Sequence, residues 1–366
     1  MADRMIVFTR GVPAPESFPI ERVAEAASYA VRNYEQQTMQ YTTSYGFLPL
    51  REQLAAKYEV EPEQVLLSNG SLQIIDFLGH VLLEEGSVIF TESPTYDRTL
   101  TLARRHKANI VGVPLEADGP DIDALERALG EHPPAFFYLI PDFQNPSGAT
   151  ASLSKRRHIA ELAREYDFWL IEDAPYRPLR YWGEQLPSLF DLVPERTLHL
   201  SSYTKQISPG VRVGYLVGDE DLLKQVAKVA EDTYITPNLV GEAIVYEFIR
   251  RGWLEEQLES LKALYGPRLE AISQALRTYL PDAEWIEPDG GFFLSVTLPE
   301  GITSETLRAA AKEQGLILSD GRGFFPDPDK GERFLRLPFC ALTEEELEEG
   351  VRRLAETVTM MVGTVA

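Results

Sequence analysis

The sequence predicts an α/β protein built on a mostly parallel, seven-stranded sheet with helices on both faces, accompanied by a smaller α+β domain. Two observations predict it. From about Val65 to Gly218, short apolar runs alternate with charged stretches of helical period, the rhythm of a parallel sheet wrapped by helices. Beyond residue 254 the rhythm changes to one long charged helix, then a few separated strands with amphipathic helices between and after them. The large domain is expected over 40–265. The small domain is expected to combine 1–39 with 266–366.

In order, the strands are read at Val65–Leu67, Ser87–Thr91, Asn109–Pro114, Ala135–Ile140, Phe168–Glu172, Thr197–Ser201 and Val213–Val217. Each is a short, strand-like run. Leu153–Tyr166 shows the helical period between two of them, and Leu254–Tyr279 reads as the long charged helix. Glu284–Glu287, Phe292–Leu298 and Phe334–Leu337 supply the strands of the small domain, and Glu344–Val358 a C-terminal amphipathic helix.

Four strand ends carry chemistry. In Ser201-Ser202-Tyr203-Thr204-Lys205, with Arg212 seven residues on, one lysine sits among hydroxyls, and a guanidinium follows in a Pro/Gly turn. Hydroxyls and a guanidinium can cradle a phosphate, and a lysine beside them can lose its proton and bond covalently to a carbonyl. Phosphate grip plus amine nucleophile is the chemistry of pyridoxal phosphate. Phe168-Trp169-Leu170-Ile171-Glu172-Asp173 is an apolar run ending in acid, which places a carboxylate at the sheet edge where α/β proteins bind ligands. Such a carboxylate keeps a pyridine nitrogen protonated. Strand alternation puts Glu172 and Asp173 on opposite sides, so only one of them can do this. Tyr176, three residues after Asp173, and Asn145, in the Asn-Pro loop after Phe136–Ile140, can reach the ring's phenolic oxygen. Leu67-Ser68-Asn69-Gly70-Ser71 reads as strand, tight turn and helix start, a phosphate-binding arrangement of free N–H groups.

Taken in this order and spacing, the four elements resemble those of the fold-type I pyridoxal phosphate enzymes. Within these the chain is similar to class I/II aminotransferases of the 2-aminoadipate/kynurenine type, from about residue 8 to the end. Arg10-Gly11-Val12-Pro13, Gln40-Tyr41, Ser93-Pro94-Thr95-Tyr96, Gly290-Gly291-Phe292-Phe293 and Phe334-Leu335-Arg336-Leu337 extend the likeness. The resemblance implies that Lys205 carries the cofactor and that Asp173 partners its pyridine nitrogen. It gives the ring oxygen to Asn145 and Tyr176, and ring stacking to Tyr96. The phosphate falls to Gly70, Ser71, Leu72 (through its backbone), Ser202, Thr204 and Arg212. Tyr41 is implied to reach the cofactor of the other subunit in a homodimer. Arg336 is implied to grip the substrate α-carboxylate, with Asn145 and the Gly11 backbone close to the substrate.

The expected activity is therefore transfer of an amino group from an L-amino acid to a 2-oxo acid. Neutral or aromatic donors are expected over a broad range, with 2-oxoglutarate as acceptor. A 2-aminoadipate-type aminotransferase, or a lyase or racemase on the same scaffold, is the alternative. Where relatives have two glycines before the proline motif, Arg10 replaces the first. The chain also begins so near that motif that the N-terminal helix which closes over substrate in relatives is expected to be largely absent. Arg10 or Arg322 could replace the charge that helix carries. Val12, Phe18, Tyr45, Phe324 and Phe325 are expected to line the side-chain pocket.

A net charge of −22 argues against nucleic acid or an anionic membrane as partner. It also disfavours a related class of DNA-binding regulators, which need an extra N-terminal domain with a basic surface. The single cysteine, Cys340, rules out an internal disulfide and fits a reducing cytoplasm. Met1–Pro13 lacks the apolar stretch of a signal peptide, and no run approaches a membrane span. Histidines lie at 80, 106, 132, 158 and 199; four are evenly spaced, but their neighbours differ, so neither a repeat nor a metal site is expected.

Overall fold

Short β-branched and aromatic runs become strands because flanking Gly, Pro and charged residues stop them early. In this computed structural model, which describes residues 5–365, the strands are β1 (Ile6–Phe8), β2 (Val65–Ser68), β3 (Val88–Ser93), β4 (Asn109–Glu116), β5 (Gly119–Pro120), β6 (Phe136–Leu139) and β7 (Trp169–Asp173). They continue with β8 (Thr197–Ser202), β9 (Gly214–Val217), β10 (Glu284–Trp285), β11 (Phe293–Thr297), β12 (Leu316–Leu318) and β13 (Phe334–Pro338). Residues 1–4, part of the stretch read for a signal peptide, lie outside the described residues.

The main sheet runs β2-β9-β8-β7-β6-β3-β4-β5. The seven expected strands are all present, and an eighth, the two-residue β5, folds back antiparallel on β4. The block β4-β3-β6-β7-β8 is parallel throughout. Strand β9 departs from it, lying antiparallel between β2 and β8. Alternation along β6 and β7 sends Tyr138 and Ile171 into one apolar cluster and Phe137 and Leu170 into another, so both faces are buried. Helices Leu153–Glu165 and Trp253–Tyr279 form close to their expected bounds, the latter with Pro267 inside it. The C-terminal helix is longer than expected, Glu344–Val365.

Strands β10, β11 and β13 make a separate antiparallel sheet. A further pair went unread in the sequence: β1 lies parallel to β12, with Ile6 opposite Leu316 and Phe8 opposite Leu318. This pairing ties the N-terminal segment to the C-terminal part of the chain.

Candidate active site

Register decides what meets at the sheet edge. Ser68, Gly214 and Ser202 stand in one row across β2, β9 and β8, and Asp173 pairs with Leu200 just behind them. Because β9 runs against its neighbours, its beginning lies at the edge where theirs end. Arg212, two residues before β9, is thereby delivered beside Gly70 and Ser202.

A cavity of about 540 Å³ opens over this edge. It is lined by Gly11, Gly70, Ser71, Leu72, Tyr96, Asn145, Asp173, Tyr176, Ser202, Thr204, Lys205, Arg212 and Arg336, so of the expected site residues only Tyr41 is not brought in. Tyr41 is 71% exposed.

At the phosphate end, Gly70 has φ +101° and caps the Ser71–Leu82 helix, whose first N–H groups have no acceptor within the helix. A Cβ on Gly70 would stand 2.5 Å from Arg212 Nη2, so a side chain there would displace the guanidinium. Arg212 donates to Asn69 O at 2.6 Å. Ser202 Oγ donates to Thr204 Oγ1 at 2.7 Å, which holds two hydroxyls together opposite that helix end.

At the ring end, Asp173 is buried. Its Oδ2 accepts from Tyr138 Oη at 2.7 Å, while Oδ1 has no partner. Burial raises Asp173 to about 6, and the Tyr138 hydrogen bond opposes that rise. Glu172, on the other side of β7, is fully engaged by His199 Nδ1 and the N–H groups of Leu189 and Phe190. That leaves Asp173 as the carboxylate facing the cavity. Tyr176 packs against Phe292 and Phe293, and burial pushes its hydroxyl well above the usual tyrosine value. Tyr96 precedes the Asp97–Arg105 helix and is raised to about 12, chiefly by burial.

Lys205 Nζ donates to Gly11 O at 2.7 Å and lies 5.1 Å from the centre of the Phe292 ring. Burial lowers it to about 8, and the Arg336 charge pushes the same way. Arg336 donates through Nη1 to Asn145 Oδ1 at 2.9 Å and through Nη2 to Thr9 O at 2.7 Å. Its Nε is buried without a partner, and its guanidinium lies between the rings of Phe293 and Phe324, at 4.7 and 4.5 Å. With Oδ1 of Asn145 engaged, its Nδ2 is left to donate elsewhere.

Three expectations for the side-chain pocket are corrected. Val12 and Phe324 do line the cavity, whereas Phe18, Tyr45 and Phe325 do not. Tyr45 stacks on Arg51, and Phe325 packs against Phe334. Of the two arginines proposed to read a side chain, Arg10 borders the cavity. Arg322 is outside it, held by Asp320 and Glu305.

Sequence reading missed Tyr138, Thr9, Phe293 and the clamping role of Phe324. Tyr138 left a trace: it carries the one polar side-chain atom in the run Phe136–Ile140, and a buried tyrosine hydroxyl needs a partner.

The geometry fits pyridoxal phosphate. The orphaned Asp173 Oδ1 suits a ring N–H, and the Gly70–Ser71 turn with Arg212 suits a dianion.

Comparison with known proteins agrees. The family described as aminotransferase class I and II matches residues 3–354. Aromatic-amino-acid aminotransferase 1 of Thermococcus litoralis is 32% identical, over 97% of this chain and 88% of that protein. Among solved structures, the α-aminoadipate aminotransferase of Thermus thermophilus, complexed with N-(5'-phosphopyridoxyl)-L-leucine, is 34% identical with a TM-score of 0.93. That match covers 98% of this chain and 93% of that one. The multiple substrate aminotransferase of Thermococcus profundus is 33% identical with a TM-score of 0.95, covering 99% and 93%.

Proposed function

The chain belongs to the class I and II aminotransferases, and on that premise we propose which residues do the work and which substrates they accept. It is a pyridoxal phosphate-dependent transaminase. Bound in the cavity, the cofactor supplies a carbonyl that takes up the amino group and a ring that withdraws electrons from the substrate Cα.

The chain's own residues supply the rest. Gly70, Ser71, Leu72, Ser202, Thr204 and Arg212 hold the phosphate. Asp173 Oδ1 accepts the ring N–H, and Asn145 Nδ2 and Tyr176 Oη donate to the ring oxygen. Tyr96 covers the ring. Lys205, which burial helps to keep neutral, would carry the cofactor and would move the proton at the substrate Cα. Arg336 binds the α-carboxylate with two parallel hydrogen bonds and so fixes which Cα bond faces Lys205.

For the donor, we read a broad range of neutral and aromatic amino acids with 2-oxoglutarate as acceptor. The observation that carries this is the placing of Phe324 against the Arg336 guanidinium, with Val12 also on the cavity wall. A side chain extending from a carboxylate held there meets apolar surface, where each buried CH₂ contributes about 0.8 kcal/mol. Arg10 at the cavity border favours a second reading, in which an acidic side chain such as that of 2-aminoadipate or 2-oxoglutarate is met there. Initial rates with leucine, phenylalanine and 2-aminoadipate, each with 2-oxoglutarate, test the ranking. A kcat/KM for 2-aminoadipate about tenfold above the other two would overturn it and make Arg10 the side-chain reader.

We further read the working unit as a homodimer in which Tyr41 serves the partner's cofactor. In support, Tyr41 is exposed and does not line its own cavity, and Met39, Leu48 and Ile235 are also exposed. The division into 40–265 and 1–39 with 266–366 belongs to the same reading and is supported by the β1–β12 pairing. Among the described residues no helix is long and apolar enough to cross a membrane. The buried, unpaired Cys340 fits a cytoplasmic location.

A further inference from the structure

Asp76, His80 and His106 are brought together on the outside of the large sheet's helical layer, although their spacing in sequence gives no reason to group them. Asp76 and His80 are four residues apart on the Ser71–Leu82 helix and so share one face. His106 is the residue at which the neighbouring Asp97–Arg105 helix ends. His106 Nε2 and Asp76 Oδ1 are 3.1 Å apart, and the two imidazoles meet edge to face with centres 4.6 Å apart. One ligand atom from each of the three residues lies within 4.8 Å of the others.

The helix surface is shaped to admit this group. Gly79 immediately precedes His80 on this helix, and a Cβ there would stand 2.5 Å from His106 Cδ2 and Nε2. Glycine inside a helix costs about 1 kcal/mol relative to alanine. Here it lets an imidazole lie directly on the helix backbone.

We propose that Asp76, His80 and His106 form a binding site for a borderline divalent transition cation, with zinc as the representative ion. Two imidazoles and one carboxylate are a donor set for zinc, cobalt or nickel rather than for calcium or magnesium, which prefer oxygen ligands. Ligand atoms around a tetrahedral zinc stand roughly 3.3 Å apart, given bonds of about 2.0–2.1 Å. The Asp76–His106 pair already has nearly that separation, and the exposed His80 closes the remaining distance by turning its side chain. The ion takes the place of the hydrogen that joins Asp76 to His106, and water fills the fourth position.

The site is apart from the chemistry. The cavity is lined by residues 70–72 of the first helix and by Tyr96 to Arg98 at the start of the second, whereas the cation ligands lie further along both. Bound there, the ion staples together the far ends of the two helices whose near ends hold the phosphate and cover the ring. Its effect is on the rigidity of the pocket walls, and no reaction step passes through it.

The test uses untagged holoenzyme, cleared of metal by dialysis against a chelator and titrated with zinc chloride in a calorimeter. One zinc per chain is expected, together with a rise in Tm. Asp76→Asn and the exposed His80→Ala should each weaken binding about tenfold or more and remove the Tm rise, with the cofactor absorbance unchanged. His158→Ala, which alters the separate His158–Glu126 pair, should bind zinc as the wild type does. The proposal is overturned if wild-type holoenzyme takes up no zinc at about 100 μM. It is equally overturned if binding persists in Asp76→Asn or His80→Ala, or depends on His158.

Discussion

At the scale of single residues, the site rests on two buried charges held by unlike means. Arg336 is flanked by aromatic faces and fixed by Asn145 and Thr9, so its fork is set before any carboxylate arrives. A lysine cannot present that fork. Arg336→Lys is expected to lower kcat/KM for every amino donor together, by about 2–5 kcal/mol or roughly 30-fold and more, with the cofactor retained. Loss confined to acidic donors in steady-state kinetics would place Arg336 at the side chain instead. Asp173 depends on Tyr138, whose hydrogen bond stabilises the charged carboxylate. Tyr138→Phe should raise the Asp173 pKa further above its present value of about 6, by about one unit. The neutral carboxyl then reaches to higher pH, and binding of pyridoxal phosphate to apoenzyme should weaken more near about pH 6.5 than near about pH 8.5. Equal weakening at both pH values would show that Tyr138 acts by packing alone. Lys205, Asp173 and Arg212 were legible because each follows an apolar run or a turn whose chemistry is local. Tyr138 was not assigned, because its partner lies on the next strand and only the register brings them together.

At the scale of elements, most of the site comes from strand ends, with Arg336 inside β13, and strand interiors are mostly apolar, with an exception on β3. Glu92 is buried there, accepting from the Ile140 N–H at 3.0 Å and from Gln144 Nε2 at 3.0 Å. Burial raises it from 4.5 to about 8, and those two hydrogen bonds only partly offset the rise. The folded protein therefore holds a proton that the unfolded chain releases above about pH 4.5. The stability from Glu92 is fully present below that pH and is lost as pH climbs through about 8, at up to about 1.4 kcal/mol per unit. Glu92→Gln keeps an acceptor and cannot ionise. Its Tm should fall less between about pH 5 and pH 8 than that of the wild type. Identical falls in thermal melts would remove Glu92 as a source of pH dependence. The alternating strands and helices were readable because their periods are local. The direction of β9 was not, since Val213–Val217 looks the same whichever way it runs. The β1–β12 pair was also hidden, because three residues carry too little period to announce a strand.

At the scale of the whole molecule, the expected unit is a dimer with shared sites. Mixing Tyr41→Ala with Lys205→Ala, each of low activity alone, should restore transamination, because one site of the mixed dimer keeps both residues. Activity no greater than the sum of the separate variants, or a fully active monomer in sedimentation, would contradict shared sites. The chain between Phe8 and the proline motif has a consequence of its own. Thr9 to Val12 join no strand, yet Thr9 and Gly11 lend their carbonyls to Arg336 and Lys205, while Arg10 and Val12 border the cavity. The carbonyls that hold the Lys205 amine and the Arg336 guanidinium, and part of the cavity border, thus come from four consecutive residues that belong to no sheet. Exchanging those four residues for a relative's is therefore expected to shift the balance between neutral and acidic donors while every strand of the large sheet keeps its neighbours.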